Sequence, residues 1–203
     1  CKSELQRIFN LPQKPDIPII GVVSRLASQK GLDLLEKSFG RLVSRNLQFI
    51  LLGSGDDHYQ KFFTGQAKKY PDKVSVKIAF DEILAHQVIS GSDIFLMPSR
   101  YEPSGLTQIY SLRYGTVPVV RATGGLKDTV REFVADTGRG NGFVFDLYET
   151  KTLLAAIDRA LDCFIYQKDQ WGIIVKNGMK SDYSWGCSAR DYCKLYRRIL
   201  RQK

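Results

Sequence analysis

Residues 16–55 read DIPIIGVVSRLASQKGLDLLEKSFGRLVSRNLQFILLGSG, and the order of patterns within them decides the fold. The run IPIIGVV is apolar, rich in β-branched residues and without polar alternation. That is the signature of a strand buried on both faces, and it predicts a strand near 18–24. Beyond it Leu32, Leu35, Phe39, Leu42 and Val43 recur at helical spacing. LQFILL then predicts a second buried strand, closed by GSG. Strand, helix and strand in this order make a βαβ unit, whose strands run parallel.

The same alternation continues outward. KVSVKIAF, DIFLMPS, VPVVRA and GFVF predict four more strands. DDHYQKFFTGQAKKY, DEILAHQVISGS, GLTQIYSLRYG and GLKDTVREFV predict the helices around them. A short amphipathic segment precedes the first strand. From about Thr150 the pattern is helical throughout, in TKTLLAAIDRALDCFIY, DQWGIIVKNGMK and CSARDYCKLYRRIL. The expectation is an α/β fold: a Rossmann-like doubly wound parallel sheet with helices on both faces and a helical C-terminal tail, one domain over 1–203. No internal repeat, low-complexity stretch or dividing linker interrupts it.

Composition narrows the function classes. Of 203 residues 43% are hydrophobic and 25% charged, enough apolar content for a real core. No apolar run approaches the roughly 18 residues of a membrane span, so a soluble protein is expected. The opening CKSELQRIFNLP has no signal-peptide pattern and no initial Met, which reads as a piece of a longer chain. The net charge of +9 fits either a basic surface or an anionic, phosphorylated partner. Basic residues are interleaved with acids, with YRRILRQK a local exception, and no nucleic-acid-binding signature appears, so no nucleic-acid partner is expected. Cys1, Cys163, Cys187 and Cys193 lack CxxC spacing and His58 and His86 lie far apart, so no metal site is expected. Reduced thiols in a cytoplasmic setting are the default.

Ligands of such sheets bind beyond the carboxyl ends of the strands. That rule singles out SRLASQKG, GSGD, AFDE, PSRYEPSG and RATGG. Arg25 and Lys30 end the first loop; they are either solvated rim charges or two cations converging on one anion. In EPSGLTQ, Gly105 permits close backbone approach, and the N–H groups of Gly105, Leu106 and Thr107 would open a helix with its positive dipole end. The stretch is either an ordinary helix start or a phosphate seat, with Ser104 as N-cap in both cases. Glu102 would repel a phosphate but could accept hydrogen bonds from sugar hydroxyls beside one. GSGD lacks the GxGxxG pattern and follows the second strand, which argues against a nicotinamide enzyme. Phe80 is either the edge of the core, the better reading from the residues alone, or an aromatic face for a base. Gly124 and Gly125 form either a tight turn or a backbone contact to substrate.

Together VVSRLASQKGLDLL, LLGSGD, PSRYEPSGLTQIYSLRYGTVPVVRATGGLKDTV and DYSWGCSARDYCKLYRRIL resemble the C-terminal half of glycogen/starch synthases. The resemblance covers nearly the whole chain. It implies retaining transfer of glucose from ADP-glucose or UDP-glucose to the end of an α-1,4-glucan, without cofactor or metal. It implies catalytic roles for Arg25 and Lys30, neutralising the departing diphosphate, and for Glu102, contacting the donor glucose. It implies that Gly105, Leu106 and Thr107 hold the distal phosphate, that Phe80 lies near the adenine, and that Gly124 and Gly125 lie near the cleft. Related retaining transferases carry a second glutamate eight positions after the first; here that position is Tyr110, which fits the glycogen/starch synthase branch. The family's N-terminal, acceptor-side domain is expected as the missing partner, and the isolated chain is expected to be inactive. The location implied is the cytoplasm, or the plastid for a plant protein. The rivals are another retaining nucleotide-sugar glycosyltransferase and a non-catalytic nucleotide-sugar or glucan-binding module.

Overall fold

Six strands form one sheet: β1 (Ile19–Val23), β2 (Gln48–Leu52), β3 (Val74–Lys77), β4 (Ile94–Met97), β5 (Val117–Arg121) and β6 (Phe143–Phe145). In this computed structural model, which describes residues 1–201, all neighbouring strands pair in parallel in the order β3-β2-β1-β4-β5-β6. The end of the basic run YRRILRQK, Gln202 and Lys203, lies outside the described residues. The helices are α1 (Lys2–Ile8), α2 (Leu32–Val43), α3 (Asp57–Lys69), α4 (Glu82–Gly91), α5 (Thr107–Tyr114), α6 (Gly124–Thr129), α7 (Thr150–Tyr166), α8 (Lys168–Lys180) and α9 (Trp185–Leu200).

Alternation along each strand sorts its side chains between two faces. Ile20, Val22, Phe49, Leu51, Ile94 and Leu96 pack with Leu35, Phe39 and Leu42 of α2, Phe63 of α3 and Leu153 and Ile157 of α7. On the opposite face Ile19, Ile50 and Leu52 meet Leu5 of α1 and Leu84 and Val88 of α4. Farther along that face Phe95, Met97 and Val120 meet Ile89 and Leu126. Both faces are therefore covered, which is why β1 and β4 read as unbroken apolar runs. Phe39 and Phe49 meet edge to face, 5.2 Å between centroids, at the heart of the larger cluster. Each such fully buried side chain contributes about 1.5–3 kcal/mol.

The structure departs from one local expectation here. GLKDTVREFV is helical only to Thr129. The segment after it turns to run beside β6: Phe133 N–H donates to Gly142 O (2.9 Å), and Arg131 N–H donates to the Asn141 side chain (2.8 Å). Those backbone donors are spent on the sheet edge, and the helix cannot continue. The tail is helical as expected, but α9 has no buried residue although it carries Trp185, Tyr192, Tyr196 and Ile199. Among the described residues no helix is long and apolar enough to cross a membrane.

Candidate functional site

Strand order reverses between β1 and β4, because β1 leads outward to β2 and β4 to β5. The two connections diverge and leave a crevice at the carboxyl ends of the strands. A cleft of about 590 Å³ occupies it. Arg25, Lys30, Phe80, Glu102, Gly105, Leu106 and Thr107, drawn from the three connections after β1, β3 and β4, all line this cleft.

At its centre Lys30 Nζ donates to Glu102 Oε2 at 2.6 Å. Glu102 is only 7% exposed and also accepts from Ser99 Oγ at 3.3 Å. An ammonium has three hydrogens to donate, so the pair leaves Lys30 with capacity for a second, anionic partner. Arg25 is exposed at the rim and held by one long hydrogen bond, Nη2 to Gln29 Oε1 at 3.4 Å. Next to the pair, Gly105 adopts φ +74°, a left-handed conformation that suits glycine. Among the described residues the N–H groups of Gly105, Leu106 and Thr107 reach no acceptor within the protein. They lead into α5, the positive end of a helix dipole facing the same cleft.

Two glycines seat the backbone of the loop bearing Glu102. Gly125 N–H donates to Glu102 O (3.1 Å) and to Pro103 O (3.2 Å). A Cβ on Gly124 would stand 2.1 Å from Glu102 O, and one on Gly125 2.0 Å from Ser104 O, so the loop backbone rests where side chains would otherwise be. Gln108 completes the seat: its Nε2 donates to Ser104 O and Gly105 O, both at 3.0 Å. Its Oε1 is buried without a partner among the described residues.

Three expectations change in this light. Ser104 is not the N-cap of α5; the helix opens later, with Leu106 at the N-cap and no side-chain cap. Pinning of the 102–104 backbone on α6 holds Ser104 out of capping position. Phe80 is not the edge of the core: it is 95% exposed, in the turn before Asp81, whose carboxylate caps α4 by accepting Leu84 N–H at 2.9 Å. Gly124 and Gly125 lie behind the Glu102 loop and do not line the cleft. Tyr110 and His86 are among the cleft residues that sequence reasoning did not single out as site residues. Tyr110 follows Leu106 by one turn of α5, and His86 follows Glu82 by one turn of α4; that spacing is the signal that puts them on the cleft side. Their rings stand 5.2 Å apart, and His86 Nδ1 hydrogen-bonds Tyr114 Oη at 3.0 Å.

Just outside the cleft a second polar cluster ties the loops together. Arg100 Nη2 pairs with Asp33 Oδ2 at 3.3 Å, and the guanidinium lies 4.3 Å from the Tyr148 ring centroid. Tyr148 Oη donates to Asp33 Oδ1. Burial first, then this bond to a carboxylate, pushes the Tyr148 phenol up to about 12. Among the described residues no group of His, Cys, Asp and Glu is placed to hold a metal ion.

A doubly wound parallel sheet with a cleft at its strand-order reversal defines a Rossmann-like ligand-binding domain. More narrowly, the chain belongs to the glycosyl transferases group 1 family, whose model matches residues 4–171. It is 51% identical over 202 residues to a glycogen synthase of Pseudothermotoga lettingae, covering 100% of this chain and 42% of that protein. It is 51% identical over 199 residues to a glycogen synthase of Bacillus cereus, covering 98% of this chain and 42% of that one. Among solved structures, the catalytic domain of starch synthase IV from Arabidopsis thaliana, bound to ADP and acarbose, superposes with a TM-score of 0.87 at 35% identity. That match covers 97% of this chain and 41% of that one. A sucrose-phosphate synthase from Thermosynechococcus elongatus shares the fold, with a TM-score of 0.69 at 23% identity. The chain thus spans about two fifths of the length of the glycogen synthases it matches.

Proposed function

We propose that this chain is the donor-binding half of a retaining glycogen/starch synthase, which transfers glucose from ADP-glucose or UDP-glucose to the end of an α-1,4-glucan. The observation that carries the reading is the Lys30–Glu102 pair beside the unpartnered N–H groups leading into α5. A nucleoside diphosphate sugar needs cationic and N–H donors for its phosphates and acceptors for its sugar hydroxyls, within a few ångströms of each other. In this reading Lys30 and Arg25 meet the charge that grows on the distal phosphate as the glycosidic bond breaks. The backbone of Gly105 and Leu106 and the Thr107 hydroxyl hold that phosphate, and Glu102 accepts from the glucose hydroxyls. Fixed donors aimed at developing charge stabilise the transition state more than the bound donor, so they raise turnover rather than affinity alone. Cations and a helix start supply this stabilisation from the chain's own residues.

The reading assigns the acceptor site to the rest of a larger protein, which closes over the cleft, and the location to the cytoplasm, or the plastid in a plant. The exposed apolar side chains of α9 fit a chain that continues its packing beyond these residues. Phe80 stacks on the base. Its exposure makes a clean prediction: Phe80→Ala changes folding stability by less than about 0.5 kcal/mol. The same substitution weakens ADP affinity by roughly tenfold, the scale of one base–aromatic stack. Calorimetric titration alongside a thermal melt checks both.

A donor panel on the intact protein tests the function. Glucosyl transfer from ADP-glucose or UDP-glucose onto an α-1,4-glucan is expected. Transfer of a different sugar, or tight donor binding with no transfer to any glucan, would replace the reading with one of its two rivals.

A further inference from the structure

The Lys30–Glu102 pair joins two loops that are far apart in the chain, and its 2.6 Å contact depends on how those loops are held. Lys30 ends the turn before α2, and Glu102 sits on the loop after β4. Asp33, three residues after Lys30, lies in the first turn of α2. Arg100 lies two residues before Glu102. The side chains of Asp33 and Arg100 pair with each other at 3.3 Å, and Tyr148, from the connection between β6 and α7, engages both. Its hydroxyl donates to Asp33, and its ring lies under the Arg100 guanidinium. Arg121 at the end of β5 closes the arrangement: it donates to Arg100 O at 2.6 Å, and its guanidinium lies 5.4 Å from the same ring. Backbone contacts run in parallel, with Arg100 N–H donating to Gln29 O at 2.8 Å. Asp33, Arg100 and Tyr148 do not line the cleft.

We infer that Tyr148, through Asp33 and Arg100, is a positioning residue that sets the distance and angle between Lys30 and Glu102. The inference rests on the proposed donor site. One aromatic ring holds a residue near each member of the pair, so a shift at Tyr148 changes the relative placement of cation and carboxylate without touching the donor. The phenol, pushed up to about 12, stays protonated and able to donate to Asp33 across the neutral range. Misplacement of catalytic groups by about an ångström costs up to about a hundredfold in rate. The loss falls on turnover, because ground-state contacts to the donor remain.

The test is steady-state kinetics of the intact transferase carrying Tyr148→Phe or Tyr148→Leu. Tyr148→Phe retains the ring under Arg100 and loses only the hydroxyl; Tyr148→Leu loses both. The expected result is a fall in kcat of about tenfold for Tyr148→Phe and about a hundredfold for Tyr148→Leu. KM for the nucleotide sugar stays within about twofold in both. Asp33→Asn, which keeps an acceptor for the phenol but removes the charge that pairs with Arg100, falls between them. A kcat for Tyr148→Phe equal to the parent's would overturn the inference, as would a loss confined to KM. So would a loss of activity in strict proportion to unfolded protein in a thermal melt. Lys30→Ala in the same assay separates the two levels of argument. If Lys30→Ala is crippled while Tyr148→Phe is normal, the positioning role fails alone. If both are normal, the proposed site fails as well.

Discussion

Lys30→Ala in the intact transferase is expected to lower kcat by about a hundredfold to a thousandfold, the usual cost of removing one preorganised donor from developing negative charge. The effect has two sources that act together. The cation is lost from the place where the diphosphate departs. Glu102, 7% exposed and paired at 2.6 Å, is left as a desolvated carboxylate beside an incoming anion. The second source raises KM as well, because repulsion from Glu102 acts on the bound donor too. Lys30→Arg keeps the charge but replaces a compact ammonium with a planar fork, so a partial recovery is expected. Steady-state kinetics with varied nucleotide sugar reads both parameters. Unchanged kcat for Lys30→Ala would remove Lys30 from the leaving-group role.

Gly125→Ala is expected to be nearly as damaging although Gly125 does not line the cleft. Its new methyl would stand 2.0 Å from Ser104 O and 2.7 Å from the Ser104 Cα, both backbone atoms with no rotamer to relieve the clash. Overpacking of this kind costs about 1–3 kcal/mol, met here by lifting the loop that carries Glu102. The carboxylate then leaves Lys30, and the loop before α5 moves with it. Transfer is expected to fall about a hundredfold. A melt should show only a modest loss of stability, because the clash falls on the loop backbone at Ser104 rather than on a core side chain. Activity and stability both near the parent's would show that the loop does not need its seat.

Much of the fold was legible because burial imposed a pattern. IPIIGVV and LQFILL are apolar at every position but Gln48 since both faces of the sheet are covered, and Leu32, Leu35, Phe39 and Leu42 mark the face of α2 that covers one of them. Less legible were features set by contacts between distant segments. The stop at Thr129 depends on Gly142 and Asn141 accepting the next backbone donors, which no local signal announces. Ser104 looks like an N-cap until α6 is seen to hold its backbone. The residues placed in the site from sequence do share a cleft, apart from Gly124 and Gly125, whose work lies behind the loop. Phe80 reads as core by hydrophobicity, and only the end of β3 at Lys77 reveals that it projects into solvent. Tyr148 lies outside every block that carries the resemblance, and Asp33 and Arg100 lie inside two of them with nothing local to mark them; only their meeting in space singles them out.

The central claim is that one cleft in this chain binds a nucleoside diphosphate sugar through Lys30, Glu102 and the start of α5. Calorimetric titration of the chain with ADP, UDP and their glucose conjugates tests it most directly. The account predicts saturable binding of at least one diphosphate and its glucose conjugate at one site per chain, in the micromolar to millimolar range, and sharply weaker binding by Lys30→Ala. No binding of any of the four ligands, or binding that Lys30→Ala leaves untouched, would contradict it.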